Sequence, residues 1–383
     1  MQRVKEEVNK NSKYTYDWFK EETGDHHWVL YNTDMYEISN DGGDRYLHYI
    51  ELSGLLPMVP INATSCHLMF DNCCNVEELD LKHFNTENII TMKGMFSECS
   101  KISKLDLSCF NTAKVTNMLD MFSKCYNLEE LDLSSFSTEN VTHMINMFKD
   151  CESLKTLNLS SFNTENVKSL YGVFSNCYRL EELNLSSFST GNVVNMSYMF
   201  YRCNNLEQLD LSSFDTINVE LMDKMFRGCS KLKYLDLNSF NTGDVISMLS
   251  MFEGCTSLES INLSSFVTTK VKIMDYMFKD CKELTTLNLR NFKTDRLESM
   301  NEIFSGCSKL TVLNLNNFNT SKANYDSNVF QGCNALTTVR VGNRFSTDLE
   351  RMLKKNIEGI KIIQCAALKR IKSRSFPEDY NIN

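Results

Sequence analysis

Apolar and polar positions along this chain repeat with one period. From Phe70 to Cys333 a unit of 26 residues recurs with no insertion or deletion. Phe stands at 70, 96, 122, 148, 174, 200, 226, 252, 278, 304 and 330, and Cys follows three residues later each time, from Cys73 to Cys333. Residues 128–151 show the unit most fully. Leu128, Leu131 and Leu133 follow L-x-x-L-x-L, the spacing that opens a leucine-rich repeat. Leu131 and Leu133 flank Asp132, the alternation of a short strand with one buried face. Ser134-Ser135 begins a turn. Phe136 and Thr138 sit in slots that hold Phe and Thr in ten units, Phe84 to Phe318 and Thr86 to Thr320. The Phe reads as the filler of a corner. The Thr reads as a cap for the next segment or as the partner of a buried backbone group in the turn. Val141, Met144, Met147, Phe148 and Cys151 are spaced 3, 3, 1 and 3. That spacing predicts one apolar stripe on a short helix or 3-10 segment, placed on the convex side.

A fixed period of this length with fixed apolar slots means stacked coils. The expected fold is an α/β repeat solenoid, leucine-rich-repeat-like, with about eleven 26-residue coils, each a short strand plus a short helical or 3-10 segment. Both ends of such a stack expose apolar cross-sections and need caps. The expected divisions are an N-terminal cap over 1–62, the solenoid over 63–338 and a C-terminal cap with a basic tail over 339–383. In the first cap, Met1–Glu22 has a weak helical pattern, His27–Tyr31 and Tyr46–Leu52 read as strands, and Asp41–Asp44 as a turn. The repeat decays after 320. Beyond it, Val339–Val341 reads as the last strand and Asp348–Glu358 as a helix with Leu349, Met352 and Leu353 inward. Ile360–Ile363 reads as an edge strand and Lys369–Arg374 as a frayed basic tail.

The motif L-D-L-S-S-F-S-T-E-N-V-T-H-M-I-N-M-F-K-D-C of residues 131–151, with its copies, resembles the bacterial BspA-like leucine-rich repeat surface proteins. The resemblance covers roughly residues 63–345. It implies a cell-surface or secreted protein engaged in adhesion and protein binding. The chain departs from that pattern in showing no export signal, lipobox or sortase-type anchor.

Composition adds limits. The length of 383 would otherwise suggest two or three domains, but a solenoid is one continuous core. Only 3 Pro and 14 Gly argue against a linker-rich chain. The net charge of −9 is uneven: residues 340–383 carry 10 basic and 5 acidic groups, and residues 63–339 carry 24 and 33. An acidic body disfavours direct nucleic-acid binding. Met1–Lys13 has no apolar h-region, and no run approaches the ~20 apolar residues of a membrane span. The chain as given therefore reads as cytoplasmic, without membrane insertion, and as a monomer. Eleven of its 15 Cys are one repeat slot. Coils ~4.8 Å apart bring neighbouring Cys within bridging distance. Their side chains would nevertheless point in parallel, and each Cys has two equal neighbours. A reduced, buried ladder is expected.

Catalysis needs unlike groups converging in a pocket, whereas this chain repeats like groups in rows. No Walker loop, dinucleotide fingerprint, nucleophile elbow or H-E-x-x-H occurs, and no cofactor is expected. Cys66, His67, Cys73, Cys74 and His83 are the nearest approach to a zinc set, and Cys66 and Cys73 fall on buried slots. No metal site is expected. Variation is concentrated on the outward strand positions, which makes them the candidate protein-binding face: Glu78, Asp80, Glu129, Glu130, Asp132, Glu181, Glu182, Asn184, Glu207, Asp210, Tyr234 and Asp236. The bland alternative is an Asp/Asn ladder that keeps a sheet face wet. The functional reading is a non-catalytic scaffold docking a protein with a basic surface. It is adhesin-like by the resemblance, or else an intracellular inhibitor or adaptor of a large basic, nucleic-acid-handling protein. Carbohydrate binding is a further alternative, for which the strand face lacks aromatic platforms.

Overall fold

The structure, a computed structural model, describes residues 63–82 and 84–364, together with the backbone of 4–6, 14–20 and 26–32. Strands β1 (Val4–Glu6), β2 (Tyr14–Lys20) and β3 (His26–Asn32) form an antiparallel sheet in that order. Two strands thus replace the helix expected over Met1–Glu22. The aromatic and β-branched run Tyr14-Thr15-Tyr16 and Trp18-Phe19 suits a strand better than a helix. β3 contains the strand expected at His27–Tyr31. The expected strand at Tyr46–Leu52, the turn at Asp41–Asp44 and the tail Lys369–Arg374 lie outside the described residues.

From Ala63 onward the chain is a parallel solenoid. Its strand segments include β4 (Glu130–Asp132), β5 (Thr156–Asn158), β6 (Tyr234–Asp236), β7 (Ser260–Asn262), β8 (Thr286–Asn288), β9 (Val312–Leu315) and β10 (Thr338–Val341). The register is the repeat itself. Leu131 lies opposite Leu157, Leu287 opposite Leu313, and Leu313 opposite Val339. The L-D-L alternation buries both leucines and leaves the residue between them exposed, as a period of two requires.

The segment opposite the strand has the i→i−3 bonding of the expected 3-10 turn but does not continue as a helix. Met121, Ser123 and Cys125 donate to the carbonyls of Met118, Asp120 and Phe122. Asp120 and Lys124 adopt φ of 55° and 62°, and such left-handed residues break a helix. The intervening N–H groups of Asp120, Phe122 and Lys124 instead donate to Ile145, Met147 and Lys149 of the next coil. Consecutive β-turns thus form a second ladder, continuous where the strand ladder is intermittent.

Two phenylalanine columns fill the core between the ladders. Rings of the Phe70 to Phe330 column stack 5.4–6.1 Å apart. Those of the strand-corner column, such as Phe110–Phe136 and Phe214–Phe240, are 5.6–6.4 Å apart. Rings of the turn-side column are on the whole the more closely stacked.

The repeat threonines join coils. Thr138 Oγ1 donates to the Asn163 carbonyl at 2.9 Å and accepts the Asn163 N–H at 2.8 Å. The same donation runs from Thr86 to Thr294. The partner is a backbone group, as the sequence suggested, but it belongs to the next coil. Thr320 ends the series by accepting the Ser346 N–H at 2.7 Å. Ser346 in turn caps helix α1 (Thr347–Asn356), which buries Leu349 and Leu353 against the last coil. Strand β11 (Lys361–Gln364) adds in parallel to β10. Strand, helix and edge strand of the C-terminal cap match expectation within a few residues.

Two substitutions test this core. Phe188→Ala removes a buried ring in mid-stack and should cost ~3–5 kcal/mol in urea unfolding. Thr138→Val leaves the Asn163 N–H and carbonyl without their partner and should cost about 1–3 kcal/mol, whereas Thr138→Ser, which keeps the hydroxyl, should lose clearly less.

Candidate partner-binding face

The strand face is built from the column between the two strand leucines. Asp132 is exposed, yet its carboxylate accepts the Ser134 N–H at 2.9 Å, closing a turn at the end of the strand. Asp80, Asp106, Asn158, Asn184, Asp210, Asp236, Asn262, Asn288 and Asn314 do the same with the residue two positions on. Backbone and hydroxyl hydrogen bonds from Ser134 and Ser212 hold Asp132 and Asp210 below the usual carboxylate range. This column is therefore first a device for turning the chain. The glutamates beside it have no such local task.

A groove of about 1280 Å³ opens on this face. Its walls carry Glu181, Glu182, Glu207, Asp210 and Asp236, with Lys231, Lys233 and Tyr234 along one side. Tyr234 is 55% exposed. The backbone beneath is open. Lys155 N–H bonds to Glu129 and Glu259 N–H to Lys233, but strand segments 181–184 and 207–210 make no such cross-coil bond. Serine hydroxyls bridge the coils there, as they do elsewhere in the stack: Ser187 to the Leu159 carbonyl at 3.1 Å and Ser213 to Leu185 at 3.3 Å, like Ser265 to Leu237 at 3.0 Å.

Six ion pairs in the described solenoid join residues at the repeat distance. Glu129 with Lys155, Arg227 with Glu253, and Lys272 with Glu298 are all 2.9 Å apart, and Asp244 meets Lys270 likewise. The Lys155 ammonium, by hydrogen bond and charge, holds Glu129 below the usual range. In the groove, Glu181 is followed one coil later by Glu207, and Glu182 by Gln208. Among the described residues these three glutamates have no ion-pair partner.

The structure thus divides the twelve candidate residues. Glu181, Glu182, Asn184, Glu207, Asp210, Tyr234 and Asp236 come together in the groove. Glu78 and Asp80 lie four coils away, and Glu129, Glu130 and Asp132 lie two coils away. Lys231, Lys233, Asn205 and Gln208 line the groove and were not singled out in the sequence. Lys233 was legible as a change of sign in the column Glu129, Lys155, Glu181, Glu207, Lys233. Also missed was a cluster on the turn side, across the core, containing Tyr171, Tyr198, Tyr201, Arg202, Lys224 and Arg227. Tyr171 and Tyr198 rings lie 5.2 Å apart, and Lys224 Nζ is 4.8 Å from the Tyr198 centroid.

The repeat cysteines from Cys73 to Cys333 are free and buried. From Cys99 on, each thiol donates to the Phe carbonyl of the preceding coil at 3.0–3.2 Å, as Cys99 does to Phe70 and Cys333 to Phe304. The thiol therefore satisfies a buried acceptor as well as filling space. Among the described residues no group of three His, Cys, Asp or Glu is placed to hold a metal ion; Cys66 and Cys73 are core members, and His83 lies outside the described residues.

Burial pushes the thiols of Cys66, Cys125, Cys229 and Cys333 from 9.0 up to about 12. Between those values the unfolded chain ionises these groups while the folded chain holds their protons. Their contribution is fully present below pH 9.0 and is lost as pH rises towards about 12. Each such thiol should remove about 1.4 kcal/mol per pH unit in that window. Urea midpoints in reducing buffer should fall steeply from pH 9 to pH 10.5, and Cys229→Ala should make the fall shallower.

No curated protein matches this chain. Among solved structures, the functional domain of InlJ from Listeria monocytogenes, described as including a cysteine ladder, is similar at 14% identity with a TM-score of 0.19. The alignment covers 69% of this chain and 66%, just under two thirds, of that one. In the comparison with protein families, residues 64–183, 154–261 and 250–356 each match the one described as "Mycoplasma protein of unknown function, DUF285". These overlapping matches run through the whole solenoid into helix α1, and the chain belongs to that family.

Proposed function

We propose that the protein is a non-catalytic binding scaffold that docks the basic surface of a protein partner on its strand face, centred on the groove at coils 181–239. The observation that carries this reading is the set of glutamates Glu181, Glu182 and Glu207. They are exposed, lie together on neighbouring coils in one groove, and take part in no ion pair among the described residues. Their mutual spacing approaches the Debye length of ~8 Å at physiological salt, so their fields add. An acidic patch of this kind speeds encounter with a cationic surface and rejects anionic ones. Tyr234 supplies an amphipathic anchor at the rim. A repeat solenoid suits this role, because stacking many coils makes a long surface out of one structural solution.

Two settings fit the same chemistry: adhesin-like contact at a cell surface, and inhibition or bridging of a large basic protein inside the cell. A sugar-binding role is disfavoured, since Tyr234 is the one aromatic residue lining the groove.

The test is charge reversal that spares the turn-forming aspartates. Glu181→Lys, Glu182→Lys and Glu207→Lys together touch no core slot and no Asx turn, so the variant should unfold at the wild-type urea concentration. Against a partner captured with the wild-type protein and then purified, association should slow at least tenfold and lose its salt dependence. Unchanged binding by the folded triple variant would reduce the acidic groove to a solvated surface.

A further inference from the structure

The turn side carries a surface that local backbone preference does not explain. Two slots per coil hold left-handed residues, a conformation suited to Gly, Asn and Asp. Gly94, Asp120, Asn146 and Gly172 occupy the first slot in four successive coils, and Asn72, Asp150 and Asn176 are among the occupants of the second. Tyr198, Arg202 and Lys224 then follow at φ of 61°, 57° and 55°. Bulky side chains held there are strained relative to Gly, Asn or Asp. Some other charged residues in these slots are ion-paired: Lys124 with Glu98, and Glu302 with Lys279. Arg202 and Lys224 meet no carboxylate among the described residues. They lie against tyrosines instead, Arg202 at 5.3 Å from the Tyr201 centroid and Lys224 at 2.6 Å from the Tyr198 hydroxyl.

Tyrosines carrying uncompensated cations resemble the anchors that dominate protein interfaces. The acidic groove occupies the same coils as this cluster, on the other side of the core. One chain therefore carries two faces of opposite sign, level with each other along the solenoid axis. We propose that a second copy of this chain is a partner of the groove, its Tyr198–Arg202–Lys224 surface seated among Glu182, Glu207 and Asp210 of the first. This rests on the groove being a docking site for cationic surfaces. A sideways shift without rotation sets one face on the other, so the contact is heterologous and leaves a free face at each end of a growing row.

Each face can be disabled separately. Arg202→Asn with Lys224→Asn removes the cations and places at both positions a residue that tolerates positive φ, so folding should be retained. Glu182→Lys with Glu207→Lys disables the groove. In sedimentation velocity at 150 mM NaCl, wild-type protein should rise above the 44.3 kDa of one chain as concentration increases. Each double variant alone should remain monomeric. An equimolar mixture of the two should form a one-to-one dimer and nothing larger, because only one intact pair of faces remains between them. Wild type that stays monomeric at all concentrations, a double variant that still associates, or a mixture that does not pair would each overturn the proposal. Monomeric wild type that still binds its captured partner through Glu181, Glu182 and Glu207 would overturn self-association alone and leave the docking reading standing.

Discussion

Each coil of this protein depends on its neighbours to satisfy its buried polar groups. A coil made of a three-residue strand and consecutive turns has few backbone partners within itself. Its N–H and carbonyl groups must therefore be matched one coil further on, since leaving them buried and unpaired costs about 1–3 kcal/mol apiece. Thr138 serves both backbone groups of Asn163, and Cys99 donates to the Phe70 carbonyl. The turn ladder from Phe122 to Met147 does the rest. One inserted residue in a single coil would misplace all these donors at once. The strict period of 26 is the visible trace of that requirement.

Much of this was legible in the sequence because it depends on identity and spacing. Fixed Phe, Thr and Cys slots give the coil, its core and its thiol ladder without any coordinates. Opposite charges 26 residues apart, such as Glu129 with Lys155, mark neighbours in a stack. The C-terminal cap was readable from ordinary signals, an apolar strand followed by an amphipathic helix. What the spacing did not reveal was the form of the turn side. Apolar residues spaced 3, 3, 1 and 3 suit a helix as well as consecutive turns. The deciding variable is φ at two slots, where Tyr, Arg and Lys occur alongside Gly and Asn.

The candidate face was half legible. Acidic clustering at Glu181, Glu182 and Glu207 could be read from the columns. The local role of the aspartates could have been read too, because Asp or Asn followed two residues later by Ser is a turn signature. The groove itself was beyond the sequence. It coincides with a stretch where the strand ladder is open, at 181–184 and 207–210, which is a matter of backbone placement that no single residue type announces.

The coil-to-coil direction of the bonds along the stack has a mechanical meaning. Bonds between coils of the described solenoid run almost entirely between immediate neighbours, so tension between the ends loads every interface in series. Yielding of one coil would release 26 residues, roughly 90 Å of extended chain at about 3.4 Å each, while the coils beyond it kept their own contacts. A stack built in this way lengthens in steps under load, each step spending work on one interface and sparing the rest.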